Sequence, residues 1–67
     1  MTTLQKIGQN IKRMRKENRF SQEWLANEAG ISPAYLRSIE HGAANPTINI
    51  LDKISCQLDV DISELLR

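Results

Sequence analysis

Cysteine is almost missing from this 67-residue chain. Cys56 stands alone, so no internal disulfide framework can form, and a reducing cytoplasm suits the protein. Long apolar runs are missing as well, which excludes a membrane-spanning helix. Lys6, Gln9, Asn10 and Lys12 interrupt the N-terminal segment and exclude the apolar stretch of a secretory signal. There is one histidine, and one His with one Cys cannot furnish a four-ligand zinc site. No glycine-rich phosphate loop is present either. His41 and Cys56 are the strong catalytic candidates, yet they fall on different predicted helices with no motif joining them. No enzyme activity, cofactor or metal is therefore expected. No repeat, low-complexity tract or linker divides the chain, so residues 1–67 are read as one domain. That is near the lower size limit for folding on a single hydrophobic core.

What is present repeats at helical spacing and nowhere with the period of two that marks a strand. Leu4, Ile7, Ile11 and Met14 form one stripe on a first helix, from about Leu4 to Asn18. Leu25 and Ala29 mark the buried side of a second helix, and Leu36 and Ile39 that of a third. Ile48, Leu51, Ile54 and Leu58 define a fourth behind Asn45-Pro46-Thr47, a turn followed by a capping threonine. A short fifth begins at Asp61, where Asp61 and Glu64 have the spacing of a capping box. Ile62, Leu65 and Leu66 would then fold back on the bundle. The expectation is an all-α, compact five-helix domain.

Ser21 to Gly42 is the most informative stretch. Ser21 caps a helix from Gln22 to Ala29, and Gly30 ends it with a backbone position where a left-handed conformation costs little. The next helix opens at Ser32 with Pro33 in its first turn and closes at Gly42. Ala26, one turn before Gly30, keeps the inside of the corner small. This is a helix-turn-helix, whose second helix is shaped for the DNA major groove.

The overall charge of +1 hides a strong asymmetry. Residues 1–20 carry six basic side chains against Glu17 alone, a balance of +5. Residues 21–67 carry three basic against seven acidic, a balance of −4. Such a distribution can steer one face toward phosphates, although a solvated basic helix without a partner has the same composition. On a wheel of about 100° per residue, Ala34, Arg37, Ser38 and His41 lie opposite Leu36 and Ile39. Tyr35 and Glu40 fall on the flanks. Arg37 can donate a bidentate pair to a guanine edge, Ser38 can serve several bases, and Ala34 can meet a thymine methyl. Ser32 and Pro33 would sit deepest in the groove. A small, polar outer face also describes any exposed helix, so the face alone leaves both readings open.

Ser21-Gln22-x-x-Leu25-Ala26-x-x-Ala29-Gly30-Ile31-Ser32, followed by Tyr35-Leu36-x-x-Ile39-Glu40-x-Gly42, closely resembles the lambda-repressor-like, Cro-type helix-turn-helix family. Ile7-Gly8-x-x-Ile11-x-x-Met14-Arg15 is similar to that family's first helix, and Pro46-Thr47-Ile48 through Leu58-x-Val60 to its fourth and fifth. The resemblance implies a transcriptional regulator that reads double-stranded operator DNA, commonly as a homodimer on a palindrome. It implies that Gln22 bonds a backbone phosphate, with Ser21 and Asn45 as further backbone contacts. It also implies a structural ion pair between Arg15 and Glu40. His41, at the helix C-terminus, faces the helix dipole or a phosphate.

Three positions depart from the family's pattern. Pro33 and Ala34 replace side chains that read bases directly in many relatives, so readout shifts to Ser32, Arg37 and Ser38, with Tyr35 against the backbone or a thymine methyl. DNA shape supplies a further share of specificity. Trp24 stands where relatives are often polar; it either caps the core or anchors a partner, and partial burial is expected. With no further domain in these residues, a dimer interface is expected from the domain itself, around Ile50 and Leu66. Leu65 is assigned to the core. The competing reading is a protein-interaction module, such as an antitoxin, that binds a protein partner through the same fold.

Overall fold

A computed structural model describes all 67 residues. The order is α1 (Thr3–Glu17), α2 (Gln22–Glu28), α3 (Pro33–Glu40), α4 (Ile48–Gln57) and a 3-10 helix over Ile62–Leu66. The architecture is therefore four α-helices and a 3-10 turn, where five α-helices were expected.

The last segment tightens for a local reason. Asp61 Oδ1 accepts from the Ser63 N–H at 2.9 Å, and the Glu64 N–H donates to the Asp61 carbonyl at 2.9 Å. Those short-range bonds wind three residues per turn. The Asp61–Glu64 capping box does not form; Glu64 turns to Arg67 instead, at 3.6 Å. A reciprocal capping box occurs at the other end of the chain, between Thr2 and Gln5.

The four α-helices begin and end alike. Thr2, Ser21, Ser32 and Thr47 each cap a start by accepting the backbone N–H three residues on. At the ends, Phe20, Ile31, Ala43 and Val60 donate backbone N–H groups to Arg15, Ala26, Ser38 and Ser55 at 2.9–3.1 Å. This is the Schellman arrangement, and it holds the preceding residue in a left-handed conformation. Gly30 and Gly42 occupy that place twice, at φ of 73° and 75°. Arg19 and Asp59 fill it the other two times, at 60° and 57°.

The core joins Ile7, Ile11 and Met14 of α1 to Leu25, Ala26 and Ala29, to Leu36 and Ile39, and to Leu51, Ile54, Leu58 and Leu65. Ile48 does not belong to it. As the first residue of α4 it lies off the Leu51–Ile54–Leu58 stripe and is 69% exposed. Leu66 likewise turns outward, at 46%, while Leu65 is fully buried and its carbonyl accepts from Asn10 Nδ2 at 3.0 Å.

Helix α1 lies directly on the end of α3. Gly8 makes that possible, because a Cβ there would overlap the carbonyl oxygens of Ile39 and Glu40. Nothing in the helical period singles out this glycine; only the packed structure shows it as the contact point between the two helices.

Candidate nucleic-acid interface

The α2–turn–α3 corner is built from local bonds and small residues. The Ile31 N–H reaches back to the Ala26 carbonyl at 2.9 Å, and Ala26 is fully buried inside the bend. Ser32 Oγ then accepts from the Tyr35 N–H at 3.0 Å and starts α3. Leu36 and Ile39 anchor α3 in the core. This leaves Ser32, Pro33, Ala34, Arg37 and His41 exposed, with Ser38 half-buried beside them. Tyr35 is half-buried and packs against the edge of the core. Arg37 makes no salt bridge, so its guanidinium is free on the outer face.

Around the first turn of α2 the structure is more specific than the sequence pattern. Ser21 is exposed, and its hydroxyl already accepts from the Trp24 N–H at 3.0 Å, which leaves its own proton to donate. Gln22 is half-buried, and its Nε2 donates to Glu40 Oε1 at 3.0 Å. A carboxylate only accepts, so the orientation of this amide is unambiguous. Glu40 is buried and also receives Arg15 through two bonds, Nε to Oε2 at 2.7 Å and Nη2 to Oε1 at 3.1 Å. The remaining Arg15 nitrogen, Nη1, donates to the Phe20 carbonyl at 2.9 Å. One buried ion pair thus ties α1 to the α1–α2 turn, to α3 and, through Gln22, to α2. No buried side-chain polar atom in the protein lacks a partner.

Asn45 is exposed between the end of α3 and the Thr47 cap of α4. Ile50 is half-buried against the core, and with exposed Ile48 and Leu66 it supplies apolar groups at the surface of the C-terminal part. Trp24 is 42% exposed and rests on Phe20, with ring centroids 4.3 Å apart. Cys56 is exposed.

Folding selects which of the N-terminal cations remain free. Arg15 is withdrawn into the buried pair, and Arg13 faces Glu17 at 3.4 Å. Lys6, Lys12, Lys16 and Arg19 remain exposed and unpaired. They leave the N-terminal helix and its following turn with an excess of exposed cations.

Residues 11–65 match the family described as helix-turn-helix. The chain belongs to that family. It is similar to the HTH-type transcriptional regulator SinR of Bacillus licheniformis, at 48% identity over 62 residues. That match takes in 91% of this chain and 56% of the regulator, so the chain spans about half the length of such relatives. Its fold superposes on the restriction–modification controller protein C.AhdI from Aeromonas hydrophila with a TM-score of 0.89 at 32% identity, covering 92% and 94% of the two chains. The structure of SinR, described as a master regulator for biofilm formation, in complex with DNA matches at 0.85 and 47% identity, covering 91% and 98%. The helix-turn-helix chain thus shares its fold with a relative seen on DNA. No helix in it is long and apolar enough to cross a membrane.

Proposed function

We propose that this domain is a sequence-specific DNA-binding transcriptional regulator, acting in the cytoplasm as a homodimer on a palindromic operator near its own promoter. The observation that carries the reading is the outer face of α3. Its side chains are small or polar around one unpaired guanidinium, Arg37, on a helix held at its start by a cap and at its end by the Arg15–Glu40 pair. In this reading Ser32, Pro33, Ala34, Arg37 and Ser38 meet base edges. Ser21, Gln22, Tyr35, His41 and Asn45 hold the backbone on either side. The likeness to SinR, solved in complex with DNA, supports DNA as the partner. Ile50 and Leu66, joined by exposed Ile48, form the two-fold contact that would set recognition helices about 34 Å apart.

The test is a titration against the upstream promoter DNA and a scrambled duplex at two salt concentrations. Selective binding that weakens with salt supports the reading. Arg37→Ala should lose about 1–3 kcal/mol of selective affinity at unchanged helicity. Equal, weak binding to both duplexes, unaffected by Arg37→Ala, would sink it. Trp24, 42% exposed where it rests on half-buried Phe20, favours a second reading, a protein-binding module; that module would show neither the salt dependence nor the loss at Arg37.

A further inference from the structure

We propose that Glu40 is a positioning residue for DNA binding, buried in the protein and acting through the Gln22 amide. The inference rests on the proposed phosphate contact of Gln22 and explains how that contact is prepared. Glu40 uses both carboxylate oxygens for three donors, two from Arg15 and one from Gln22 Nε2. A primary amide nitrogen carries two protons. One of them lies on Glu40, which fixes the plane of the amide and leaves the second as the donor available to a phosphate. A free glutamine at the first position of a helix would sample several rotamers and lose that freedom on binding. Here the loss is incurred during folding. Arg15 has a distinct part in the arrangement. It neutralises the Glu40 carboxylate, so the acceptor that aims Gln22 adds no net negative charge beside an incoming phosphate. The relay also links the end of α3 to the start of α2, so the backbone contact and the recognition helix are held in one register.

Two measurements test this. In isotope-labelled wild-type protein, one Gln22 side-chain amide proton should be shifted and protected from exchange relative to those of exposed Gln9. Gln22 protons indistinguishable from those of Gln9 would overturn the proposal. Operator affinity is then measured for Gln22→Ala, Glu40→Gln and the double variant, each below its own melting temperature. Gln22→Ala should weaken binding roughly tenfold per half-site, the size of one hydrogen bond to a charged group. Glu40→Gln should weaken wild-type binding similarly, yet change the Gln22→Ala protein by less than about twofold. Additive losses would overturn the relay while leaving the Gln22 phosphate contact intact. No loss in Gln22→Ala would overturn both. Should Glu40→Gln not fold, the wild-type amide measurement decides alone.

Discussion

Gly8→Ala sets two effects of opposite sign against each other. On an isolated helix the change should stabilise, because alanine gains about 1 kcal/mol over glycine in a helix interior. In this fold the added Cβ would stand 2.6 Å from the Glu40 carbonyl oxygen and 2.8 Å from its carbon, with the Ile39 carbonyl oxygen also inside contact distance. These are backbone atoms of the last turn of α3, so no side-chain rotation relieves them. Reaching ordinary carbon–oxygen separation requires the helices to part by roughly 1 Å. Overpacking a tight contact costs about 1–3 kcal/mol, and a clash against backbone belongs at or beyond the top of that range. Parting the helices also stretches the 2.7 Å bridge from Arg15 to Glu40. The net expectation is a loss of about 2 kcal/mol, or roughly 8–16 °C in Tm for a domain of this size. Thermal melting followed by far-UV circular dichroism measures it. A variant that melts at or above the wild type would show that helix propensity wins and that α1 does not rest on α3 as described.

The buried ion pair and the C-terminal cap offer two further checks. Arg15→Ala strands the Glu40 carboxylate in a buried site and should cost about 3–5 kcal/mol in denaturant unfolding, whereas Arg15→Met with Glu40→Leu should cost far less; a loss under about 1 kcal/mol in Arg15→Ala would refute the burial of the pair. Asp61 is held below its usual pKa of 3.8 first by the Ser63 backbone N–H and then by the Ser63 hydroxyl. A depressed folded-state pKa means the contribution is complete above 3.8 and fades as pH falls through the folded value. Asp61→Asn keeps a capping oxygen but does not titrate. The wild type's margin in Tm over this variant should therefore be constant near neutrality and shrink below pH 3.8; a margin independent of pH would remove the carboxylate from the cap.

How much of this architecture can be read in advance depends on how far apart in sequence the deciding groups lie. The caps at Ser21, Ser32 and Thr47 and the glycine stop at Gly30 are contacts over a few residues, so residue type and spacing suffice to find them. The helical stripes are legible for the same reason, since period reports which side of each helix meets the core. Ile48 misleads because an apolar residue at the first position of a helix satisfies the spacing without lying on the stripe. The last segment misleads because Asp61 has two neighbouring donors within reach, and only the folded turn selects Ser63 over Glu64. The outer face of α3 follows from period alone, but its free guanidinium does not, because pairing depends on which acidic groups the fold brings near Arg37.

The groups that set the angle between helices are the least legible. Arg15 and Glu40 are 25 residues apart, and Gln22 and Glu40 are 18 apart. The first pair enters through family resemblance and the flanking place of Glu40; the second has no signature at all. Gly8 enters only as part of the resemblance of the first helix, and its role stays hidden there, for what matters is a missing atom. These features form one device in the folded protein. Because Gly8 lacks a Cβ, the end of α3 can settle on α1 closely enough for Glu40 to meet Arg15. With Glu40 placed, the Gln22 amide is aimed and α2 is tied to α3 at a second point beyond the turn. The tight corner at Ala26 and Gly30 restricts the angle between the two helices, and the polar cluster then selects one orientation within that range. The exposed face of α3 can consequently vary, as Pro33 and Ala34 do, without disturbing the frame that presents it. What the fold holds constant is the position of α3, and what the surface residues change is the chemistry it presents.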